Sequence, residues 1–203
     1  MKSLTLWQVA VIPWYVFAAY WAITALRVKP TKAREKSVDR LITVVVVVAA
    51  YELLFARWLR IGPLGLRFAP QDLWIAYLGI ALTCVGTAIA IWARYCLGEY
   101  WSARVTLKEG HQLIRSGPYA FVRHPIYTGM LVGCFGTAVV VGEWRGILAV
   151  VLLCAAHSRK AMREERMLSQ EFGDQYTTYR QSTGFLLPRF GGRGGMGTPA
   201  GQI

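Results

Sequence analysis

Two short stretches of this chain concentrate the residue types that do chemistry. The first runs Gly110-His111-Gln112-Leu113-Ile114-Arg115-Ser116-Gly117-Pro118-Tyr119 and on through Val122-Arg123-His124-Pro125-Ile126-Tyr127-Thr128-Gly129; the second, about forty residues later, is Lys160-Ala161-Met162-Arg163-Glu164-Glu165. Gly117-Pro118 is a turn signal, and Pro125 suits the first turn of a helix, where its missing N–H costs nothing. His124 is thereby placed at a helix N-terminus, where the macrodipole disfavours an imidazolium and a neutral ring can both donate and accept. On the second stretch, Lys160 and Glu164 are four apart and share a helix face, whereas Glu165 is turned by about 100° from Glu164. Alone, the loop would be an interfacial anchor at lipid headgroup level. Alone, the glutamates would be a solvated face paired with Lys160, Arg163 or Arg166, worth little energy. A dense polar loop feeding an apolar helix, followed by a carboxylate pair, reads instead as a site.

The elements that must position these residues are membrane helices. The chain has 203 residues, 55% of them hydrophobic and only 17% charged, with a mean hydropathy of +0.36; soluble domains carry about 25% charged residues. Ser3 to Leu26 is 24 residues without a charged side chain, roughly 36 Å as a helix and enough for a hydrocarbon core of ~30 Å. It is too long for a signal-peptide core, and Trp7, Trp14, Tyr15, Tyr20 and Trp21 give it an aromatic belt. Further spans are expected at Leu41 to about Leu59, at Leu73 to Ala93, from just after His124 to Gly142, and from Gly146 to about Ser158. The last two, joined only by Glu143, Trp144 and Arg145, form an antiparallel hairpin, with Arg159 and Lys160 snorkelling to the interface. Lys160 to about Gln181 reads as an amphipathic helix that Gly173 can interrupt, and 191–203 as a disordered Gly-rich tail. Expected divisions are therefore 1–96 (three spans), 97–190 (the site region) and the tail.

The net charge of +12 does not point to nucleic acid, because the basic residues fall between apolar runs and match anionic lipid headgroups. Six lie between Arg27 and Arg40, three (Arg57, Arg60, Arg67) in the next connection, and five between Arg94 and Arg123. The positive-inside rule then puts the N-terminus outside and the site, with the C-terminus, on the cytoplasmic side of a multi-pass protein of the bacterial inner-membrane kind. Cys84, Cys96, Cys134 and Cys154 lack metal-ligand spacing, so no metal is expected and they read as small buried hydrophobes. Glu52, mid-helix in the second span, is expected to face the bundle or lie near the interface.

The linked pattern of His111, Leu113-Ile114, Gly117-Pro118-Tyr119 and Val122 to Gly129, then Lys160, Glu164-Glu165, Leu168, Phe172-Gly173, Tyr176, Tyr179 and Leu187-Pro188, resembles the isoprenylcysteine carboxyl methyltransferase family and its relatives among phospholipid N-methyltransferases. The likeness covers about Trp101 to Pro188. It implies an all-α integral membrane protein of about five spans, using S-adenosylmethionine held outside any Rossmann fold; no GxGxxG follows a strand here. It implies cofactor contact at His111, Gln112, Leu113, Ile114, Tyr119, His124, Pro125, Ile126, Tyr127 and one of Glu164 or Glu165, with Lys160, Glu164 and His124 nearest the chemistry. The family register favours Glu164, leaving Glu165 turned toward the loop or toward Arg166. Where the family has a substrate-side Arg, this chain has Lys160, a point charge in place of a two-pronged grip.

Residue chemistry fits methyl transfer independently of the likeness. A sulfonium donor with an ammonium needs an anion, which a Glu supplies, and aromatic faces such as Tyr119 and Tyr127 attract the sulfonium, worth ~0.5–2 kcal/mol. An in-line displacement then depends mostly on alignment. A carboxylate acceptor needs no base, whereas an amine or thiol would give His124 or a Glu that task. The expected partner is a lipophilic or lipidated acceptor entering from the membrane, together with membrane lipids and no nucleic acid; carboxylate, amine and thiol all stay open, as does oligomeric state. Competing readings are a sterol-type NADPH-dependent membrane reductase, which would want cations in place of the Glu pair, and a non-catalytic scaffold.

Overall fold

A computed structural model describes residues 5–25, 37–56, 58–98, 101 and 113–189, with side chains from 41 onward in the second segment. Among them are six α-helices: α1 (Leu6–Ala25), α2 (Ser37–Phe55), α3 (Leu73–Leu97), α4 (Pro125–Val141), α5 (Trp144–Phe172) and α6 (Asp174–Ser182). Short 3-10 turns occupy Gly62–Gly65 and Gly117–Ala120, and the described residues form no strand, only two isolated bridges.

The outer surface is apolar where a protein built for water would be polar. The interior holds Ala10, Ala50, Ala90, Ala138 and Ala149 beside Thr83, Thr87 and Thr137, while Val16, Ile23, Leu41, Val45, Val48, Trp74, Val85 and Val151 lie exposed on the outside. Exposed apolar surface on this scale is costly in water and costs nothing in hydrocarbon, so the solvent is a bilayer. α1 and α3 are long and apolar enough to cross one; the apolar stretches Leu41–Phe55 and Pro125–Val141 are shorter.

In lipid, helices gain little from hiding apolar side chains from one another, so close backbone approach and buried hydrogen bonds decide packing. α3 and α4 meet along Gly79, Gly86, Gly129, Gly133 and Gly136. A Cβ on Gly136 would stand 2.5 Å from both the Gly79 carbonyl oxygen and the Thr83 nitrogen, and one on Gly129 2.6 Å from Ala90 N and Gly86 O. The Trp14 indole N–H donates to Thr137 Oγ1 (2.9 Å), which lies 3.3 Å from Thr83 Oγ1, and so pins α1 to α3 and α4. Trp14, Leu54, Cys134, Ala138, Ala149 and Leu153 form the adjoining core.

The hairpin between α4 and α5 is tighter than expected. Trp144 and Arg145 already belong to α5, and Gly142 turns the chain with φ +66. Buried Glu143 takes Arg145 Nε (2.6 Å) and Arg60 Nη2 (2.9 Å), and Arg145 also donates to the carbonyls of Leu53 and Ala56.

Three expectations need correction. Cys84 and Cys154 are exposed and only Cys134 is buried, because in lipid an apolar side chain gains nothing by turning inward. Of the two places expected for Glu52, the bundle interior is excluded: it is exposed, one turn before the end of α2. The helix carrying the Glu pair does not begin at Lys160: α5 runs unbroken from the hairpin to Phe172, and the break at Gly173 (φ +49) starts α6. The connection 26–36 and the Gly-rich tail lie outside the described residues.

Candidate active site

Gly117 opens the loop with φ +60, a conformation that suits glycine, and a Cβ there would meet Cys96 Sγ at 2.7 Å. The turn Gly117–Ala120 buries Tyr119 in a cluster with Ala93 and Ile126, against which Ile114, Tyr127 and Trp101 pack. Burial, with the Tyr179 hydroxyl and the Glu164 carboxylate nearby, pushes the Tyr119 hydroxyl well above its ordinary range, so it stays protonated. Pro125 is the first residue of α4, which leaves His124 just outside the helix with φ −123 and ψ 58.

A strap from the far end of the chain locks this loop. Arg123 N–H donates to Gly184 O (2.8 Å), Gly184 N–H to Phe121 O (3.1 Å), His124 N–H to Phe185 O (3.3 Å) and Thr128 Oγ1 to Leu186 O (2.6 Å). The Tyr179 hydroxyl donates to Tyr119 O at 2.8 Å, so α6 is tied to the same turn. The backbone N–H groups ahead of α4 are satisfied by strap carbonyls in place of water.

The two glutamates have different surroundings. Glu164 accepts the Tyr127 hydroxyl at Oε1 (2.7 Å), and its Oε2 lies 3.6 Å from His124 Nδ1; its side chain is 23% exposed. Glu165, 10% exposed, accepts Arg123 Nε at 2.6 Å and lies 3.4 Å from His124 Nε2 and 3.8 Å from Arg180 Nε. Burial pushes the Glu165 carboxyl up, but the hydrogen bonds from His124 and Arg123 and the guanidinium charge outweigh it and bring it down to about 2. Arg123 is held in turn by the carbonyls of Arg180 (3.1 Å) and Thr183 (2.5 Å). Glu165 therefore closes a buried structural network, and Glu164 keeps acceptor capacity and a way out.

Aromatic rings extend the cluster. His157 stacks on Tyr127 (5.0 Å between centroids, 7° between planes), His124 lies nearly parallel to Tyr127 at 5.7 Å, and Phe185 meets His124 edge-on at 5.2 Å. Lys160 Nζ sits 5.5 Å from the Tyr127 ring centre.

Of the residues singled out in the sequence, the structure brings together His124, Tyr127, Lys160, Glu164 and Glu165, with Pro125 and Ile126 buried beneath them and Tyr119 and Ile114 in the adjoining cluster. Leu113 is half-buried, next to Ile114 in the chain, and His111 and Gln112 lie outside the described residues. Sequence reasoning did not reach Arg123, His157 or Phe185. Arg123 lay inside the motif but read as a topological charge, His157 is hidden in an apolar run, and Phe185 signals nothing by itself.

The phospholipid methyltransferase family matches residues 74–175. A probable protein-S-isoprenylcysteine O-methyltransferase of Oryza sativa subsp. indica is 30% identical over 122 residues, 58% of this chain and 64% of the relative. The protein-S-isoprenylcysteine O-methyltransferase of Schizosaccharomyces pombe is 30% identical over 112 residues, 54% of this chain and 48% of the relative. The chain thus spans from about half to just under two thirds of the length of these relatives. In fold it is similar to the eukaryotic intramembrane Ras methyltransferase, isoprenylcysteine carboxyl methyltransferase, with a TM-score of 0.62 at 21% identity over 89% of this chain and 64% of the other. The family match takes in α3, the turn at Gly117–Ala120, α4 and α5 with both glutamates, half of the chain; on that ground the chain belongs to the phospholipid methyltransferase family, and it is similar to the protein-S-isoprenylcysteine O-methyltransferases.

Proposed function

We propose that the protein is an S-adenosylmethionine-dependent methyltransferase acting on a lipophilic acceptor, with the carboxylate of a prenylated cysteine as the first candidate. The observation that carries this reading is the junction of two distant motifs: Tyr127 from the first turn of α4 and His124 just before it meet Glu164 from α5 within 2.7 and 3.6 Å. The names of the relatives support the acceptor class. The side chains present fit the donor: Glu164 has lone pairs left for an ammonium, and the Tyr119 cluster offers apolar and aromatic surface beside it. S-adenosylmethionine would supply a methyl activated on a sulfonium. His124, Pro125, Ile126, Tyr127, Tyr119, Leu113 and Ile114 would shape its seat, with His111 and Gln112 completing the contacts, and residues 97–190 would form the functional unit on a scaffold of 1–96. Lys160 would orient an anionic acceptor against Tyr127.

The test is transfer of labelled methyl from S-adenosylmethionine to N-acetyl-S-farnesylcysteine in reconstituted vesicles. Lys160→Ala is expected to lower turnover by about tenfold or more while S-adenosylmethionine affinity stays within about twofold, and Lys160→Arg to restore or exceed it. Full turnover in Lys160→Ala would remove Lys160 from the acceptor side. Transfer to phosphatidylethanolamine in its place would establish the N-methyltransferase reading, which the Lys160 charge disfavours by repelling an ammonium acceptor.

We further propose that α1 to α5 all cross the bilayer, with the site on the cytoplasmic side, supported by the six, three and five basic residues in successive connections. Cysteine-accessibility labelling should find 27–40 and the C-terminal tail on the same side; opposite sides would overturn this topology.

A further inference from the structure

In the cluster around Tyr127, nearly every polar atom has a partner. The Tyr127 hydroxyl is on Glu164, both His124 ring nitrogens face carboxylates, and Glu165 is engaged by Arg123. His157 is different. The residue is 6% exposed, its ring stacks on Tyr127, and its Nε2 is buried with no hydrogen-bond partner. A buried ring nitrogen without a partner is costly, and a bound ligand that supplies the missing bond removes that cost. His157 also lies three residues before Lys160 and seven before Glu164, so all three share one face of α5. The order along that face is a neutral-capable donor, a cation, then the carboxylate assigned to the methyl donor.

We infer that His157 is a second acceptor-side contact: its Nε2 hydrogen-bonds the head group of the lipophilic acceptor, which binds as an anion between His157 and Lys160 with Tyr127 as the partition from Glu164. This rests on the methyltransferase reading and deepens it by naming the acceptor chemistry. Paired with Lys160, the nitrogen suits a carboxylate or a thiolate. An alkylammonium could donate to Nε2 in the other tautomer, but the Lys160 ammonium would repel it. The register adds a specificity argument. Tyr127 touches His157 and Lys160 with its ring and Glu164 with its hydroxyl, so one side chain reports acceptor occupancy to the donor side.

The experiment uses the full chain in detergent saturated with S-adenosylhomocysteine, and reads protection against thermal unfolding by three probes: N-acetyl-S-farnesylcysteine, dodecanethiol and dodecylamine. At least one of the carboxylate probe and the thiol, the latter losing its proton on binding, is expected to protect the wild type at concentrations about tenfold or more below dodecylamine, and the tighter of the two tells carboxylate from thiolate. His157→Phe keeps the ring on Tyr127 and removes the nitrogen; it should raise the concentration needed of that anionic probe by about 10- to 100-fold. His157→Gln, which retains a donor, should recover part of the loss, and S-adenosylhomocysteine affinity should be unchanged in both. Wild-type discrimination in His157→Phe, or tighter protection by dodecylamine, would overturn the inference while leaving the methyltransferase reading in place. Failure of the wild type to bind S-adenosylhomocysteine would overturn the reading and the inference together.

Discussion

Glu164→Gln is expected to lower S-adenosylmethionine affinity by about 30- to 100-fold. Loss of one partner from a desolvated ion pair costs about 2–5 kcal/mol, and each 1.4 kcal/mol is tenfold in affinity. Because the Glu164 side chain is 23% exposed, the lower end of that range applies. Gln keeps the shape and can still accept the Tyr127 hydroxyl, so the change isolates the charge that an ammonium would need. Isothermal titration of the purified variant measures the loss directly, and the melting temperature without cofactor should shift by only about a degree or two, since the pair is not structural. The opposite division of labour, with Glu165→Gln losing cofactor and Glu164→Gln keeping it, would show that the helix register of the site is wrong by one residue and would take the assignment of Lys160 with it.

Glu165→Ala should act on stability instead. Its carboxylate is the counter-charge of Arg123, whose side chain is 8% exposed, and removal of one partner of a buried pair costs about 3–5 kcal/mol. Arg123 anchors the carbonyls of Arg180 and Thr183, so the strap loosens with it. A fall in melting temperature on the order of ten degrees is expected for a chain of this length, with cofactor affinity reduced only as the loop unlocks. The pH dependence has a definite sign. The folded carboxyl lies at about 2, below its unfolded value of about 4.3. Its stabilisation is therefore fully present above about pH 5 and is lost as pH falls toward 2. Wild-type protein should lose stability progressively through that window and Glu165→Gln should lose less. Equal acid sensitivity in the two would place the acid-labile group elsewhere.

What could be read from the sequence, and what could not, follows from the solvent. An uninterrupted apolar run must be helical in lipid because no water satisfies its backbone, so α1 and α3 stand close to where Ser3–Leu26 and Leu73–Ala93 placed them. Gly117-Pro118 and His124-Pro125 are local backbone constraints, and the turn and helix start lie there. Burial was the weak point. In water a Cys in an apolar run is pressed inward, but Cys84 and Cys154 face outward at no cost, and Glu52 turns away from the bundle near a helix end. The contact of α3 with α4 depends on which glycines align across two helices, which spacing within one helix does not reveal. The strap from Thr183 onward pairs with residues about sixty positions earlier through backbone groups that carry no side-chain signature. His157 sits in a run of Leu, Cys and Ala, and only the Tyr127 ring packed against it shows that it belongs to the site.

Comparison of S-adenosylmethionine with NADPH as a stabilising ligand of the purified protein tests the central claim most directly. A site whose available carboxylate takes the methyl donor should raise the melting temperature by a few degrees at about a hundredfold excess over its dissociation constant, while NADPH leaves it unchanged, because Glu164 would face its phosphates. Stabilisation by NADPH and not by S-adenosylmethionine would contradict the methyltransferase reading and establish a dinucleotide site in its place.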